Sequence, residues 1–322
     1  MPKEVRLTIR EVAERGEAIL TQVEKVIVGK REPLTLMLGA ILAGGHILVE
    51  DFPGLAKTLA ARCFSWTLGL SFRRIQFTPD LLPADIVGTH VFLREEGRFA
   101  FRPGPIFAQL LLADEINRAT PKTQSALLEA MQEGQATVEG ETHPLPQPFV
   151  VMATQNPIEY EGTFPLPEAQ VDRFLVRLKF GYPKPEEEVE ILIRRIARKS
   201  EDVSLEPVVK AEEIMAMRQA VEEVYVDPDL LRYMVDLVAR TRRHPSLAVG
   251  ASPRGSLALL KMARARAALA GRDYVIPDDV KSVAIPALAH RLILSPELWT
   301  REIRAEDVVN ELVSQVPVPK VA

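Results

Sequence analysis

Lys57 and Thr58 close the stretch Leu48-Val49-Glu50-Asp51-Phe52-Pro53-Gly54-Leu55-Ala56-Lys57-Thr58, and farther along an apolar run, Leu110-Leu111-Leu112-Ala113, ends in two adjacent acids, Asp114 and Glu115. An ammonium, a hydroxyl beside it and two carboxylates are the groups that hydrolysis of a nucleoside triphosphate requires. Lys57 supplies a point charge to the β- and γ-phosphates, Thr58 and Asp114 supply hard oxygens to a Mg²⁺ carried in with ATP, and Glu115 orients and activates the attacking water.

Such groups work only if the chain brings them to one point. Ile47 to Val49 reads as a buried strand, Pro53-Gly54 as a tight turn, and Leu59 to Trp66 as a helix. That order aims the backbone N–H groups of Asp51, Phe52, Pro53-Gly54, Leu55 and Ala56, and a helix N-terminus, at a phosphate; proline brings no N–H of its own. The strict P-loop pattern has glycine where Asp51 and Ala56 stand, so the stretch by itself also fits a strand, a turn and a helix with an exposed lysine. Leu110 to Ala113 reads as a strand covered on both faces, with Asp114 and Glu115 at its carboxyl end.

Around these, the chain alternates strands and helices. Helices are expected over Val12 to Val28 and Leu34 to Ala43, strands at Phe72 to Thr78, Phe149 to Ala153 and Phe174 to Phe180, and a short helix or turn at Asp80 to Gly88. Thr120-Pro121 opens a helix that Gly134 ends. Two small hairpins are expected, Val91 to Arg94 with Arg98 to Arg102, and Gln135 to Glu139 with Glu141 to Leu145. The pattern predicts a doubly wound parallel α/β sheet with its ligand beyond the carboxyl ends of the strands. Asn156, just past one strand, falls at that edge. Arg173 precedes the last strand, where an isolated arginine is usually a surface ion pair.

After Gly181-Tyr182-Pro183-Lys184-Pro185 the texture becomes helical: Val189 to Lys199, Ala211 to Val221, Leu230 to Arg242, Gly255 to Ala270 and Val280 to Arg291. Two domains are therefore expected, an α/β nucleotide-binding core over 1–183 and a smaller all-α domain over 184–322. Arg254 stands near a helix N-terminus, where the dipole disfavours a cation unless an anion is close, and that conflict hints at function.

Composition narrows the classes. The 322 residues are 26% charged and 47% hydrophobic with a formal net charge of −4, ordinary for globular domains and no global field for nucleic acid. The single cysteine, Cys63, excludes an internal disulfide framework and a cysteine-rich metal site, and the chain reads as cytoplasmic. Met1 to Arg10 lacks the apolar core of a secretory signal, and Gly39, Gly44, Gly45 and His46 interrupt the longest apolar passage, so no membrane span is expected.

The combination resembles an AAA+ ATPase, with Asp51 to Thr58 as Walker A, Leu110 to Glu115 as Walker B, Asn156 as sensor 1, Arg173 as arginine finger and Ser252-Pro253-Arg254 as sensor 2. The strings Asp114-Glu115-Ile116-Asn117-Arg118-Ala119, Ala153-Thr154-Gln155-Asn156-Pro157 and Gly162 to Gln170 through Asp172-Arg173-Phe174 are similar to the MoxR branch. The resemblance implies an AAA+ P-loop core followed by an all-α lid. It further implies a ring, usually hexameric, with ATP at each subunit junction, Val28 and Gly29 against adenine, and Arg173, or alternatively Arg118, reaching into the neighbour's site. It also implies chaperone-like remodelling of protein clients, with a von Willebrand factor A domain partner. Two rival readings stand beside it: a motor on nucleic acid using Arg240, Arg242, Arg243, Arg264 and Arg266, and a nucleotide-gated scaffold with little turnover. The acidic hairpin tips, Glu95-Glu96 and Glu139 with Glu141, suit a protein client better than a phosphate backbone.

Overall fold

A computed structural model describes residues 6–157, 162–298 and 303–319. The first five residues of the amino-terminal stretch and the last three of the tail lie outside the described residues. Helices α1 (Ile9–Glu24) and α2 (Arg31–Leu42) lead into strand β1 (Ile47–Glu50), helix α3 (Lys57–Thr67), β2 (Phe72–Gln76) and α4 (Pro83–Val87). The hairpin β3 (Gly88–Leu93) and β4 (Arg98–Pro103) precedes β5 (Leu110–Asp114) and α5 (Pro121–Glu133). A second hairpin, β6 (Gln135–Val138) and β7 (Glu141–Pro144), precedes β8 (Val150–Gln155), the one-turn α6 (Glu168–Val171) and β9 (Val176–Leu178).

Five of these strands form one parallel sheet in the order β2-β5-β8-β1-β9. β5 and β8 are flanked by strands on both sides, and their residues Leu110 to Ala113 and Val150 to Ala153 are fully buried, as continuous apolar runs in such a sheet require. With all five strands parallel, the P-loop after β1, the acids at the end of β5 and Asn156 after β8 share the carboxyl edge.

The carboxy-terminal region is helical: α7 (Pro185–Arg198), α8 (Ala211–Glu222), α9 (Pro228–Thr241), α10 (Pro253–Leu269), α11 (Pro277–Leu288) and α12 (Ala305–Gln315). It also carries a two-stranded antiparallel ribbon, β10 (Leu247–Val249) with β11 (Ile293–Leu294), which apolar periodicity over two or three residues is too short to announce. The helix α12 is likewise absent from the sequence reading, although Val308, Val309 and Leu312 form its buried stripe.

Sequence boundaries shift where local chemistry intervenes. α1 starts at a Thr8 capping box and stops at Glu24 rather than Val28, the chain closing in turns in which the Val26 and Ile27 N–H groups both donate to Val23 O. β9 is shorter than Phe174 to Phe180, since the Phe174 N–H closes a turn on Val171 O at 3.1 Å. One apolar cluster runs from α1 and α2 through Leu259 and Met262 of α10 to Val283 of α11, so packing is continuous across residue 184. Among the described residues no helix is long and apolar enough to cross a membrane.

Candidate active site

Beyond Glu50 the chain forms an open loop. Gly54 adopts φ +81°, and a Cβ there would meet nothing within 4 Å, so the backbone is bare where a phosphate would lie. Ala56 adopts φ +58°, the left-handed conformation that glycine provides in the strict pattern, at a cost of about 1 kcal/mol. Helix α3 begins immediately after it at Lys57. The Lys57 ammonium donates to the carbonyl of Asp51, across the mouth of the loop. We expect Lys57→Ala to weaken ATP binding by about 100-fold or more, as measured by calorimetric titration, because no other cation of the loop replaces the charge.

Asp51 stands where the pattern has its first glycine, and a carboxylate facing the loop would repel phosphate. Its side chain turns away. Oδ2 accepts the N–H groups of Phe180 at 2.6 Å and Gly181 at 2.7 Å, and Oδ1 accepts that of Phe52 at 2.9 Å. The expectation that Asp51 contributes to nucleotide binding is thus narrowed to its backbone, while its buried carboxylate ties the loop to the chain leaving β9. Replacing Asp51 by alanine leaves those N–H groups without their acceptor and should lower unfolding stability by about 2 to 4 kcal/mol, read from the denaturant midpoint.

Thr58 Oγ1 lies 3.4 Å from Asp114 Oδ2. Asp114 Oδ1 accepts the Thr154 hydroxyl at 2.6 Å, and Arg74 donates to Oδ2 at 2.7 and 3.0 Å. Hard oxygens converging at a helix N-terminus fit Mg²⁺, and Arg74 supplies positive charge to the same carboxylate. Glu115 follows at φ +55°, its N–H donating to Thr154 Oγ1 at 2.8 Å. Its Oε2 accepts from Gln76 at 2.6 Å and from Arg118 at 2.8 Å. Arg118, one candidate for a contact with a neighbour, therefore holds Glu115 within its own chain. Asn156 is buried and lines a cavity of about 440 Å³ with Glu50, Asn117 and Gln155. Thr154, Arg74 and Gln76 were missed by sequence reasoning; the alternation of Arg74 and Gln76 on β2 was the available signal.

Val28 and Gly29 border this edge. Gly29 packs so closely on Glu187 that a Cβ would meet its carboxylate carbon at 2.1 Å. Lys30 Nζ donates to Tyr182 O at 2.9 Å, and the Tyr182 ring lies 5.8 Å from that of Phe52.

Arg173 and Arg254 are elsewhere. The Leu175 N–H donates to His46 O at 2.8 Å, which puts residues 173–175 at the amino edge of the sheet, whereas Phe180 reaches Asp51 at the carboxyl edge. Seven residues of largely extended chain separate the two, roughly 20 Å. Arg173 donates to Leu128 O at 2.7 Å and lines a cavity of about 250 Å³ with His46, Asp172, Arg254, Lys261 and Arg291. Asp172 accepts from Arg291 at 2.7 Å and Ser252 at 3.2 Å, and Arg254 stands 4.0 Å away. Asp172 is the anion that the position of Arg254 at a helix N-terminus calls for. Arg291 is almost wholly enclosed, with its guanidinium pushed down by burial, and it fixes Asp172 beside half-buried Arg173 and exposed Arg254.

His46 closes that cavity from below. Burial pushes its imidazole down to about 4, with Nε2 on Met131 O and Nδ1 accepting the Val151 N–H, each at 3.0 Å. The unfolded chain then binds a proton that the folded one refuses between pH 6.5 and about 4, so stability falls as pH drops through that window, by about 3 kcal/mol in total. His290, also buried and lowered, acts in the same direction. We expect His46→Gln to flatten the slope of stability against pH between 6.5 and 4 in urea titrations.

Residues 46–176 match the model of the ATPase family associated with various cellular activities (AAA), and residues 239–312 match that of the AAA lid domain. Chaperone MoxR1 of Mycobacterium tuberculosis is 44% identical over 314 residues, covering 95% of this chain and 82% of that protein, and protein MoxR of Methylorubrum extorquens is 31% identical with 96% of each covered. The chain belongs to the MoxR family of AAA+ ATPases. Another relative, the uncharacterized protein YeaC of Bacillus subtilis, is 50% identical with 94% of each chain covered. The crystal structure of a Cytophaga hutchinsonii protein described as a candidate ATPase superposes with a TM-score of 0.90 at 39% identity, covering 96% of both chains. As a MoxR-family member the chain binds nucleotide and is an ATPase, and residues 239–312 of its helical region correspond to the AAA lid.

Proposed function

We propose that the protein is a Mg²⁺-dependent ATPase working as a ring, usually hexameric in this family, that remodels or matures protein clients. The observation that carries this reading is the separation just described. Lys57, Thr58, Asp114 and Glu115 gather at one edge of the sheet, while Arg173 and Arg254 gather at the other, so the arginines serve a nucleotide held by an adjacent copy. A head-to-tail contact of this kind closes into a ring.

At such a junction Lys57 and the loop N–H groups bind the triphosphate. Thr58 and Asp114 would hold Mg²⁺, which would supply charge neutralisation at the triphosphate. Glu115, steadied by Gln76 and Arg118, takes the proton of the attacking water while Asn156 fixes that water against the γ-phosphate. Arg173 and Arg254 of the next copy meet the charge that develops there.

The client reading draws on the β3–β4 hairpin, where Phe92 and Phe99 are exposed as a pair 5.2 Å apart beside Glu95 and Glu96, a surface suited to apolar polypeptide. MoxR1 is named a chaperone, and the family resemblance adds a von Willebrand factor A domain partner. Against a nucleic-acid motor, Arg264 pairs with Glu222, Arg266 with Glu32, and Arg242 donates to Ala251 O. We place the protein in the cytoplasm, in keeping with one buried cysteine and no disulfide. Sedimentation of the full chain with and without Mg²⁺ and ATP tests the ring. A nucleotide-promoted closed oligomer is expected, and a monomer at saturating ATP contradicts it.

A further inference from the structure

Helix α7 has no buried residue among its fourteen. Its apolar side chains are nevertheless ordered at helical spacing: Val189, Leu192, Ile193 and Ile196 are 55%, 59%, 54% and 73% exposed. These positions, i, i+3, i+4 and i+7, form one seam, and Glu186 extends it by three residues at its N-terminal end. An apolar seam facing water is the mark of an interaction surface.

A second anomaly lies at the α2–β1 turn. A cavity of about 540 Å³ opens between the α2–β1 turn and the lid, with Leu42, Ala43, Met215 and Ala216 as its apolar lining and Arg218 and Lys261 as its cations. Arg218 Nε donates to Ile41 O at 2.9 Å, but its Nη2 is buried with no acceptor, and among the described residues it has no carboxylate within ion-pairing distance. Desolvation pushes this guanidinium down to about 10. Lys261 makes no ion pair among the described residues either. Glu222, on the same rim, is already taken by Arg264 at 3.0 Å, which leaves Glu212 as the remaining acid of the lining. A half-buried guanidinium with no anionic partner among the described residues, beside an apolar lining, is a receptor for a carboxylate on an apolar segment.

We propose that α7 of one copy docks into this cavity of the next, the Val189–Ile196 seam covering the apolar floor and the carboxylates at its N-terminal end facing Arg218 and Lys261. The inference rests on the ring reading and deepens it, because the two surfaces lie where that reading puts a junction. α7 abuts the nucleotide edge through Glu187 on Gly29, and the cavity shares Gly44 and Lys261 with the one that holds Arg173 and Arg254. The contact that delivers the arginines to a neighbour's ATP therefore brings α7 of that neighbour to the Arg218 cavity.

Cross-linking between two populations tests this. Full-length Ile196→Cys and Met215→Cys chains are mixed with Mg²⁺ and ADP and oxidised; Cys63 does not compete, being buried with its thiol pushed up to about 12. A disulfide-linked pair that forms in the mixture and in neither population alone is the expected result. An assembly that forms without this cross-link, or Ile196→Cys chains that link to one another, overturns the docking while leaving the ring intact. A wild-type chain that never self-associates overturns both. In parallel, Ile196→Glu should raise the concentration for half-assembly at least tenfold with monomer affinity for ADP unchanged, and unaltered assembly contradicts the proposal.

Discussion

Glu115→Gln lowers steady-state ATP hydrolysis by a factor of about 10² to 10⁴, the range over which a positioned general base contributes, and leaves ATP affinity within a few-fold of wild type. The expectation follows from what surrounds the side chain. Its Oε2 is an acceptor for Gln76 and Arg118, and the amide oxygen of glutamine accepts from both in the same shape. The substitution therefore keeps the fold, the network and the adjacent Asp114, and removes only the capacity to take a proton from water. Binding is assigned to Lys57 and the loop, and the contacts of Glu115 are to Gln76, Arg118 and Thr154. Turnover by Glu115→Gln equal to that of wild type, measured by phosphate release under saturating ATP, refutes the role assigned to it.

Arg173→Ala has an effect of similar or greater size, a fall of about 10³ or more in turnover, within the range known for arginines that meet a transferring phosphoryl group. Within its own chain half-buried Arg173 makes one hydrogen bond, to the Leu128 carbonyl of α5, that alanine would remove. Stability should accordingly change by under about 1 kcal/mol, as for ordinary surface substitutions. A large kinetic loss with a small structural one, from a residue at the edge of the sheet opposite its own P-loop, is the signature of action on another copy. Truncation of Arg291 is the contrasting case, because that guanidinium is enclosed and fixes Asp172.

Much of this was legible in the sequence for physical reasons. Continuous apolar runs such as Leu110 to Ala113 have one comfortable place, the middle of a parallel sheet, and a residue following such a run must emerge at the carboxyl edge. Asp114, Glu115 and Asn156 were placed by that rule alone. Thr120-Pro121 marked the start of α5, and the same residue–proline arrangement caps α9 at Asp227-Pro228 and α10 at Ser252-Pro253. What sequence did not convey was direction and partnership. Asp51 looked like a damaged P-loop glycine until its carboxylate was found on the N–H groups of Phe180 and Gly181, more than 120 residues along the chain. Arg118 looked free to reach outward until it was found on Glu115. Arg254 and Asp172 met only through the packing of the lid on the core, and no local spacing encodes that encounter.

The central claim is that catalysis needs two copies, one giving Lys57, Asp114 and Glu115 and the other giving Arg173. Turnover in mixtures of the two inactive variants tests it most directly. Equimolar Glu115→Gln and Arg173→Ala chains, allowed to co-assemble, place an intact Glu115 opposite an intact Arg173 at about one junction in four, so hydrolysis should return to roughly a quarter of the wild-type rate. A mixture as inactive as its components at every ratio, from chains shown to co-assemble, contradicts the shared site.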